Sequence, residues 1–264
     1  MKTTIHFNGK DYTADLSKGH DLSIPLAAGE NRVSAWYVPP ITIEPVKMGE
    51  WTGSVAAGAS VNFRNIFFNP HGHGTHTESY GHISKEIYSV NEVMKKHFFI
   101  AQIITVTPIQ EGDDYIIHKN QIAEQCILGI EALILRTLPN GDEKMHRKYS
   151  STNPPYLHHE AARWMCENNI MHLLLDLPSV DREEDGGKLL AHHAFWNYPE
   201  APRKEATITE LIYVKEEVKD GFYLLNLQTA PFENDATPSR PVVFEFCEAL
   251  TVIVRAVCRA TFGF

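Results

Sequence analysis

With 264 residues, 43% of them hydrophobic and 22% charged, the chain has the make-up of a soluble globular protein with room for a substantial core. A formal charge of −9 argues against nucleic acid or an anionic membrane as partner, because phosphate binding calls for a basic face. The four cysteines, Cys126, Cys166, Cys247 and Cys258, stand far apart with no C-x-x-C pair, a pattern that suits reduced thiols in a cytoplasm better than a disulfide framework or a zinc ribbon.

The N-terminus has no apolar run of signal-peptide length, and no stretch is long enough to span a bilayer. Residues 3–7 and 10–16 are strand-like and flank Asn8-Gly9, the strongest short-range signal for a β-hairpin. Residues 21–26 follow as a short strand. Residues 27–50, punctuated by Pro39, Pro40 and Pro45, read as an irregular arm. Trp36, Tyr37 and Trp51 lie in or beside it and are expected to pack, the alternative being exposed aromatics that cover an active site or a neighbouring subunit. Residues 61–68 form a strand that leads into a histidine cluster. Ser89 and Glu92 make a capping box that opens a short helix through Lys96.

Residues 98–107, rich in β-branched and aromatic side chains and ended by Pro108, form a strong strand, with a shorter one at 115–117. Asn120 is placed to cap a helix over 121–128, and 131–137 is another apolar strand. Residues 138–156, with Pro139, Asn140-Gly141, Pro154 and Pro155, form a long loop. Residues 157–168 are an amphipathic helix with Leu157, Ala161, Trp164 and Met165 on one stripe. A buried strand over 170–175 ends at Asp176-Leu-Pro-Ser-Val-Asp181, and a helix over 188–196 carries His192 and His193. Strands are expected at 207–214, 222–229, 241–246 and 250–257. With few helices among many strands and no repeat or linker, a single mixed α/β domain over 1–264 fits better than a doubly wound sheet.

Chemistry concentrates in Asn69-Pro-His-Gly-His-Gly-Thr-His-Thr-Glu-Ser-Tyr-Gly-His82. His71, His73, His76 and His82, four of the chain's 14 histidines, gather here with Glu78. Imidazole and carboxylate together suit a divalent transition metal. In an extended segment His76 and Glu78 point to the same side, and in a helical turn Glu78 and His82 would share a face. The simpler alternative is a polar loop that happens to be His-rich. A second set of ligand-type residues lies downstream. His192 and His193 sit in a helix, and Glu210 sits in an apolar strand, where an inward carboxylate must be paired, protonated or metal-bound. No G-x-S-x-G elbow supports Ser179 as a nucleophile.

The run Gly74-Thr-His-Thr-Glu78 followed by His82 resembles the H-x-G-T-H-x-D-x-P-x-H signature of the cyclase family of metal-dependent hydrolases, which includes bacterial kynurenine formamidase and isatin hydrolase. Further matches fall in order along the chain. Asp21-Leu-Ser-Ile-Pro-Leu26 resembles the family's opening strand, Glu160-Ala-Ala-Arg-Trp-Met165 its E-A-A helix, and Asp176–Asp181 its D-T-x-S-[IV]-D segment. His192 with Phe195-Trp196, and then Glu210-Leu211, resemble its last two motifs. The resemblance implies a swivelling β/β/α fold assembled as a homodimer or homotetramer. It implies His76 and Glu78 as ligands of a first metal, His82 between metals or as proton shuttle, and His192 and Glu210 as completing a second site. The family's first histidine falls on Gly72 here, so His71 or His73 must reach in by a shift of register. His71 is preferred because His73 occupies the variable position. Glu78 replaces the usual Asp and Tyr80 the usual Pro, and His193 is the alternative to His192.

The expected activity is therefore hydrolysis of an amide-type C–N bond in a small molecule, either an N-formyl aryl amide such as N-formylkynurenine or a cyclic amide. Water would be activated by Zn2+ first, or by Mn2+ given the carboxylates, with His82 transferring a proton and Glu210 as the runner-up base if it is not occupied as a ligand. Two other readings use the same site: a metal or small-molecule binding protein without turnover, and a metal-dependent isomerase or dehydratase.

Overall fold

The computed structural model describes residues 1–248. The chain opens with a hairpin, β1 (Lys2–Phe7) against β2 (Lys10–Asp21), with Phe7 opposite Lys10. Asn8 and Gly9 both have positive φ, +48° and +76°, as the predicted two-residue turn requires. Residues 22–26 do not continue as a strand; only Ser23 bridges, to Ile212. The proline-rich arm holds more regular structure than expected: β3 (Thr42–Pro45), β4 (Lys47–Met48) and β5 (Trp51–Thr52). Then β6 (Arg64–Phe67) pairs back onto β3.

A single helical turn, α1 (Pro70–His73), leads to the short strand β7 (His76–Glu78). The helix after Ser89, α2, covers only Val90–Val93. Next come β8 (Phe98–Val106), β9 (Ile109–Glu111), β10 (Asp114–Ile117) and α3 (Lys119–Ala123). His118, not Asn120, caps α3, and the Gln121 side chain accepts from its backbone N–H at 2.9 Å. The remainder runs β11 (Ala132–Thr137), β12 (Tyr156–Leu157), α4 (His159–Glu167), β13 (His172–Leu175), α5 (Leu190–Trp196), β14 (Thr207–Glu210), β15 (Gly221–Thr229) and β16 (Ala236–Glu248). The strand expected over 250–257 lies outside the described residues.

One sheet has the order β1-β2-β16-β15-β8-β11-β13-β14-β7, and β7 also pairs with β16. That last pairing closes seven strands, β16 through β7, into a barrel, with the β1–β2 hairpin extending its edge. Strands β8, β11, β13 and β14 are mutually parallel, and each step between them passes through one of α3, α4 and α5, as parallel pairing demands.

Alternation along these strands divides the core in two. Leu133, Leu135, Leu173, Leu175 and Ile208 face outward beneath Ala161, Met165, Phe195 and Trp196 of the helices. Ala132, Ile134, Leu174, Leu225 and Val243 belong to the second core, inside the barrel.

The carboxyl ends of the parallel strands carry a buried ionic network. Asp176 accepts from the Thr137 backbone N–H (3.0 Å) and hydroxyl (2.9 Å) and from Lys144 Nζ (2.7 Å). Lys144 also donates to the Thr137 carbonyl at 2.6 Å and approaches its hydroxyl at 3.0 Å. Asp176 thus stiffens the loop after β11 and does not enter the site. Among the described residues no helix is long and apolar enough to cross a membrane, and Cys126 and Cys166 are free thiols.

Candidate metal centre

The site is built on β7, the strand that closes the barrel. Its register sets Glu210 opposite His76, and Ile208 opposite Glu78. Directly opposed residues share a face, so His76, Glu78 and Glu210 lie together on the outward, helix-covered side with Ile208. Thr77 points the other way and meets the Thr209 hydroxyl at 2.8 Å. Helix α5 brings His192 onto the same cluster: its Nε2 lies 3.2 Å from Glu78 Oε1 and 4.0 Å from Glu210 Oε1.

Helix α1 decides which of the two upstream histidines enters. Asn69 caps it, accepting from Gly72 N at 3.2 Å. A Cβ at Gly72 would sit 2.6 Å from Val38 Cγ2 and 3.0 Å from the Ala35 carbonyl, so a side chain at that position would force its neighbours to move. The ring is supplied one residue earlier. His71 Nδ1 lies 3.2 Å from Glu78 Oε2. His73 is engaged elsewhere: its Nδ1 accepts from Asn69 N at 2.8 Å and its Nε2–H donates to the Pro39 carbonyl at 2.8 Å. His193 also turns away, with its Nδ1–H on the Tyr198 carbonyl at 3.0 Å. His82 closes the cluster from the turn after β7, its ring centroid 4.3 Å from that of His71.

Two carboxylates that the motifs did not single out complete the arrangement. Asp181 accepts from the backbone N–H groups of Ala191 (2.7 Å) and His192 (3.1 Å) and from His192 Nδ1 at 2.6 Å. Asp235, just before β16, places Oδ2 3.1 Å from His71 Nε2 and 3.3 Å from His82 Nδ1. Asp181 stood in a recognised segment, but Asp235 lies in a polar loop between strands with no local signal.

The hydrogen-bond pattern leaves lone pairs facing inward. His76 Nδ1–H donates to the Gly74 carbonyl at 3.0 Å, so Nε2 carries the lone pair, and it faces Glu210 Oε2 at 3.5 Å. His76 Nε2 and Glu78 Oε2 are both buried with no hydrogen-bond partner. Such orphans are rare in folded proteins, and their convergence fits a cation. Three triads have ligand atoms close enough for one ion: His71, His76 and Glu78; His71, His82 and Asp235; Glu78, His82 and His192.

Protons answer the same electrostatic demand. Burial works against charge on His192, but Asp181 and Glu78 prevail and push it up to about 10. His71 likewise rises to about 10 against its burial, through Asp235 and Glu78. For Glu78 burial acts upward, yet His82, His192 and His71 together hold it well below the usual carboxylate range. Glu210 is shifted upward by burial and by the Glu78 charge. Hydrogen bonds from His71 and His82 hold Asp235 far below its ordinary value. The floor is dry, with His76 and Glu78 fully buried, whereas the side chains of His82, Asp235 and His71 are 30%, 20% and 19% exposed and form a rim open to solvent.

Comparison with known proteins agrees with this architecture. A kynurenine formamidase of Bacillus cereus is 27% identical over 226 residues, 84% of this chain and 95% of that protein. The solved structure of a potential metal-dependent hydrolase with cyclase activity superposes with a TM-score of 0.61 at 16% identity, covering 86% of this chain and 97% of that one. An isatin hydrolase bound to the product analogue thioisatinate gives a TM-score of 0.61 at 14% identity over 86% of this chain and 92% of its own. The fold is thus the mixed α/β barrel of these structural neighbours. The family model for Cyclase matches residues 20–182, which include His71 to His82 and Asp181 but stop short of His192, Glu210 and Asp235. With more than half of its length inside that match, the chain belongs to the cyclase family.

Proposed function

We propose that this protein is a metal-dependent hydrolase that cleaves an amide-type C–N bond of a small molecule, in an N-formyl aryl amide or a cyclic amide. The observation that carries the proposal is the pair of buried, unpartnered acceptors, His76 Nε2 and Glu78 Oε2, facing one another's ligand set on a dry floor. The names of the Bacillus relative and of the isatin hydrolase support the reaction class.

His71, His76 and Glu78 would hold a first divalent cation, and His192 with Glu210 would serve a second position. Three imidazoles with carboxylates match Zn2+ best, and the carboxylate share leaves Mn2+ as the second choice. When bound, such a cation polarises a carbonyl oxygen and acidifies water enough to supply hydroxide near neutral pH.

The chain's own groups do the rest. Gly74 and Asp181 fix the rings of His76 and His192 through their Nδ1–H groups, the outer-shell support that metal-binding histidines need. The buried floor keeps bulk water out, while the rim admits substrate. His82 stands at that rim with Nδ1 held by Asp235, so that Nε2 could take a proton from the attacking water and hand it to a leaving nitrogen. Glu210, shifted upward by burial and the Glu78 charge, is the runner-up base where it is not occupied as a ligand.

The test is metal analysis of untagged protein followed by incubation with aryl formamides and lactams. Bound Zn2+ or Mn2+ and a product heavier than substrate by one water are expected. Protein that takes up neither metal overturns the proposal. Metal without turnover makes the chain a binding protein, and a product of unchanged mass makes it an isomerase.

A further inference from the structure

We propose that Asp235 is a positioning residue that fixes the tautomers of His71 and His82 through one carboxylate oxygen, compensating for a ligand displaced by the packing at Gly72. This rests on the metal-site reading above.

A ligand ring delivered from position 72 would crowd Val38 and the Ala35 carbonyl. His71 therefore approaches from the neighbouring backbone position and needs an orienting partner of its own. His76 has Gly74 and His192 has Asp181 for this purpose. For His71 the partner is Asp235, whose Oδ2 lies 3.1 Å from Nε2. An Nε2–H donated to that oxygen leaves the lone pair on Nδ1, the atom 3.2 Å from Glu78 Oε2. The same oxygen lies 3.3 Å from His82 Nδ1, so one acceptor sets both rings. For His71 the donated proton falls on the nitrogen facing away from Glu78.

The carboxylate is well anchored. The Asp235 carbonyl accepts from Ser79 N at 2.9 Å, and Ala236 pairs with Glu78 across β16 and β7. Asn234 is tied on both sides: its carbonyl accepts from Val90 N at 2.9 Å and its side-chain amide donates to the Ala236 carbonyl at 2.9 Å. The alternative, a rim cation held by His71, His82 and Asp235, would share His71 with the floor site. Both of its nitrogens would then need lone pairs, that is, an imidazolate. A proton shared with Asp235 avoids this.

The experiment uses the untagged full chain, stripped with a chelator and reloaded with Zn2+ for affinity by chelator competition, and with Co2+ for its visible absorption spectrum. Asp235→Ala is expected to weaken Zn2+ binding by roughly 10- to 100-fold and to shift the Co2+ bands. Asp235→Asn, of the same size, covers the case in which the alanine variant does not fold, and about a tenfold loss is expected from it on the same grounds. Wild-type affinity with an unchanged Co2+ spectrum in either folded variant overturns the proposal. His76→Ala separates the two levels: if it binds Zn2+ as wild type does, the metal site itself is misassigned, whereas if it loses Zn2+ while the Asp235 variants keep it, only the role of Asp235 falls.

Discussion

Two buried ionic networks stand side by side at the carboxyl ends of the parallel strands, and they are built on opposite principles. In the Lys144–Asp176 network each charge meets its complement. Asp176 is met by the Thr137 N–H, the Thr137 hydroxyl and the Lys144 ammonium, and Lys144 in turn reaches the Thr137 carbonyl. In the His–Glu cluster, two inward acceptors, His76 Nε2 and Glu78 Oε2, have no partner. The floor of the cluster, His76, Glu78, His192 and Glu210, is as buried as Lys144 and Asp176, so burial alone does not distinguish a structural network from a binding site. Completeness of hydrogen bonding does. The satisfied network has no use for a ligand, while the frustrated one lowers its free energy by taking up cations, whether protons or a metal.

The largest effects should come from removing the frustrated acceptors. His76→Ala and Glu78→Ala should lose bound metal and reduce hydrolysis by a thousandfold or more, on the order of 4 kcal/mol of transition-state stabilisation. Metal analysis and steady-state rates on the same preparations check both, with far-UV circular dichroism to confirm the fold. Activity retained by either variant removes that side chain from the site.

The mirror-image substitution lies in the satisfied network. Lys144→Met leaves Asp176 charged and buried without its ammonium partner, which should cost about 3–5 kcal/mol in stability by denaturant unfolding. Metal bound per folded molecule should stay at the wild-type level. If this variant lost metal while keeping its stability, the two networks would have exchanged roles.

The sequence made one side of this contrast readable and hid the other. His76 and Glu78 could be assigned to one side because alternation needs only local pattern, and the β-branched run from Phe98 and the Asn8-Gly9 turn were legible for the same reason. What escaped depends on contacts distant in sequence. Strand β7 is three residues, His-Thr-Glu, too short to be recognised from its own sequence, and it is held by β14 on one side and β16 on the other. Strand β14 was expected to run on to Val214, since Leu-Ile-Tyr-Val follows. It stops at Glu210 because Leu211 takes φ +54°, with its N–H on the Leu177 carbonyl at 3.0 Å and its carbonyl accepting from the Thr75 hydroxyl at 2.5 Å. Asp235 reaches His71 and His82 only because β16 returns to close the barrel.

That closure makes stability a reporter of the site. The strand that completes the barrel is the one that carries His76 and Glu78, so a metal bound at the proposed site would be linked to barrel closure. At a free-metal concentration a hundred times the dissociation constant, wild-type protein should be more stable than the stripped form by about 2.7 kcal/mol. Chelator titration followed by thermal unfolding measures this. His76→Ala should be indifferent to the chelator, and Lys144→Met should show the full increment on its lower baseline. An increment that survives in His76→Ala would place the stabilising ion elsewhere.

The smallest expected effect concerns a buried histidine outside both networks. His172, at the start of β13, is 5% exposed, with Nδ1 2.8 Å from the Thr207 hydroxyl and its ring 3.9 Å from that of Phe99. Burial first, then the charges of Lys96 and Arg203, hold it down at about 3, against an ordinary value of 6.5. Between those values the unfolded chain binds a proton that the folded chain does not. Stability from this group is therefore full above pH 6.5, falls as the pH drops below it, and levels off near pH 3. At pH 5 the loss should be roughly 2 kcal/mol relative to pH 7.5. His172→Gln removes the titration and should flatten the acid limb of the stability profile by about that amount, measured as the difference in unfolding free energy between the two pH values. Unlike the site histidines, His172 has no carboxylate among the described residues within ion-pair distance to retain its proton, so its acid sensitivity should be the same with and without metal. Metal dependence of this limb would mean that the acid sensitivity arises in the cluster on β7.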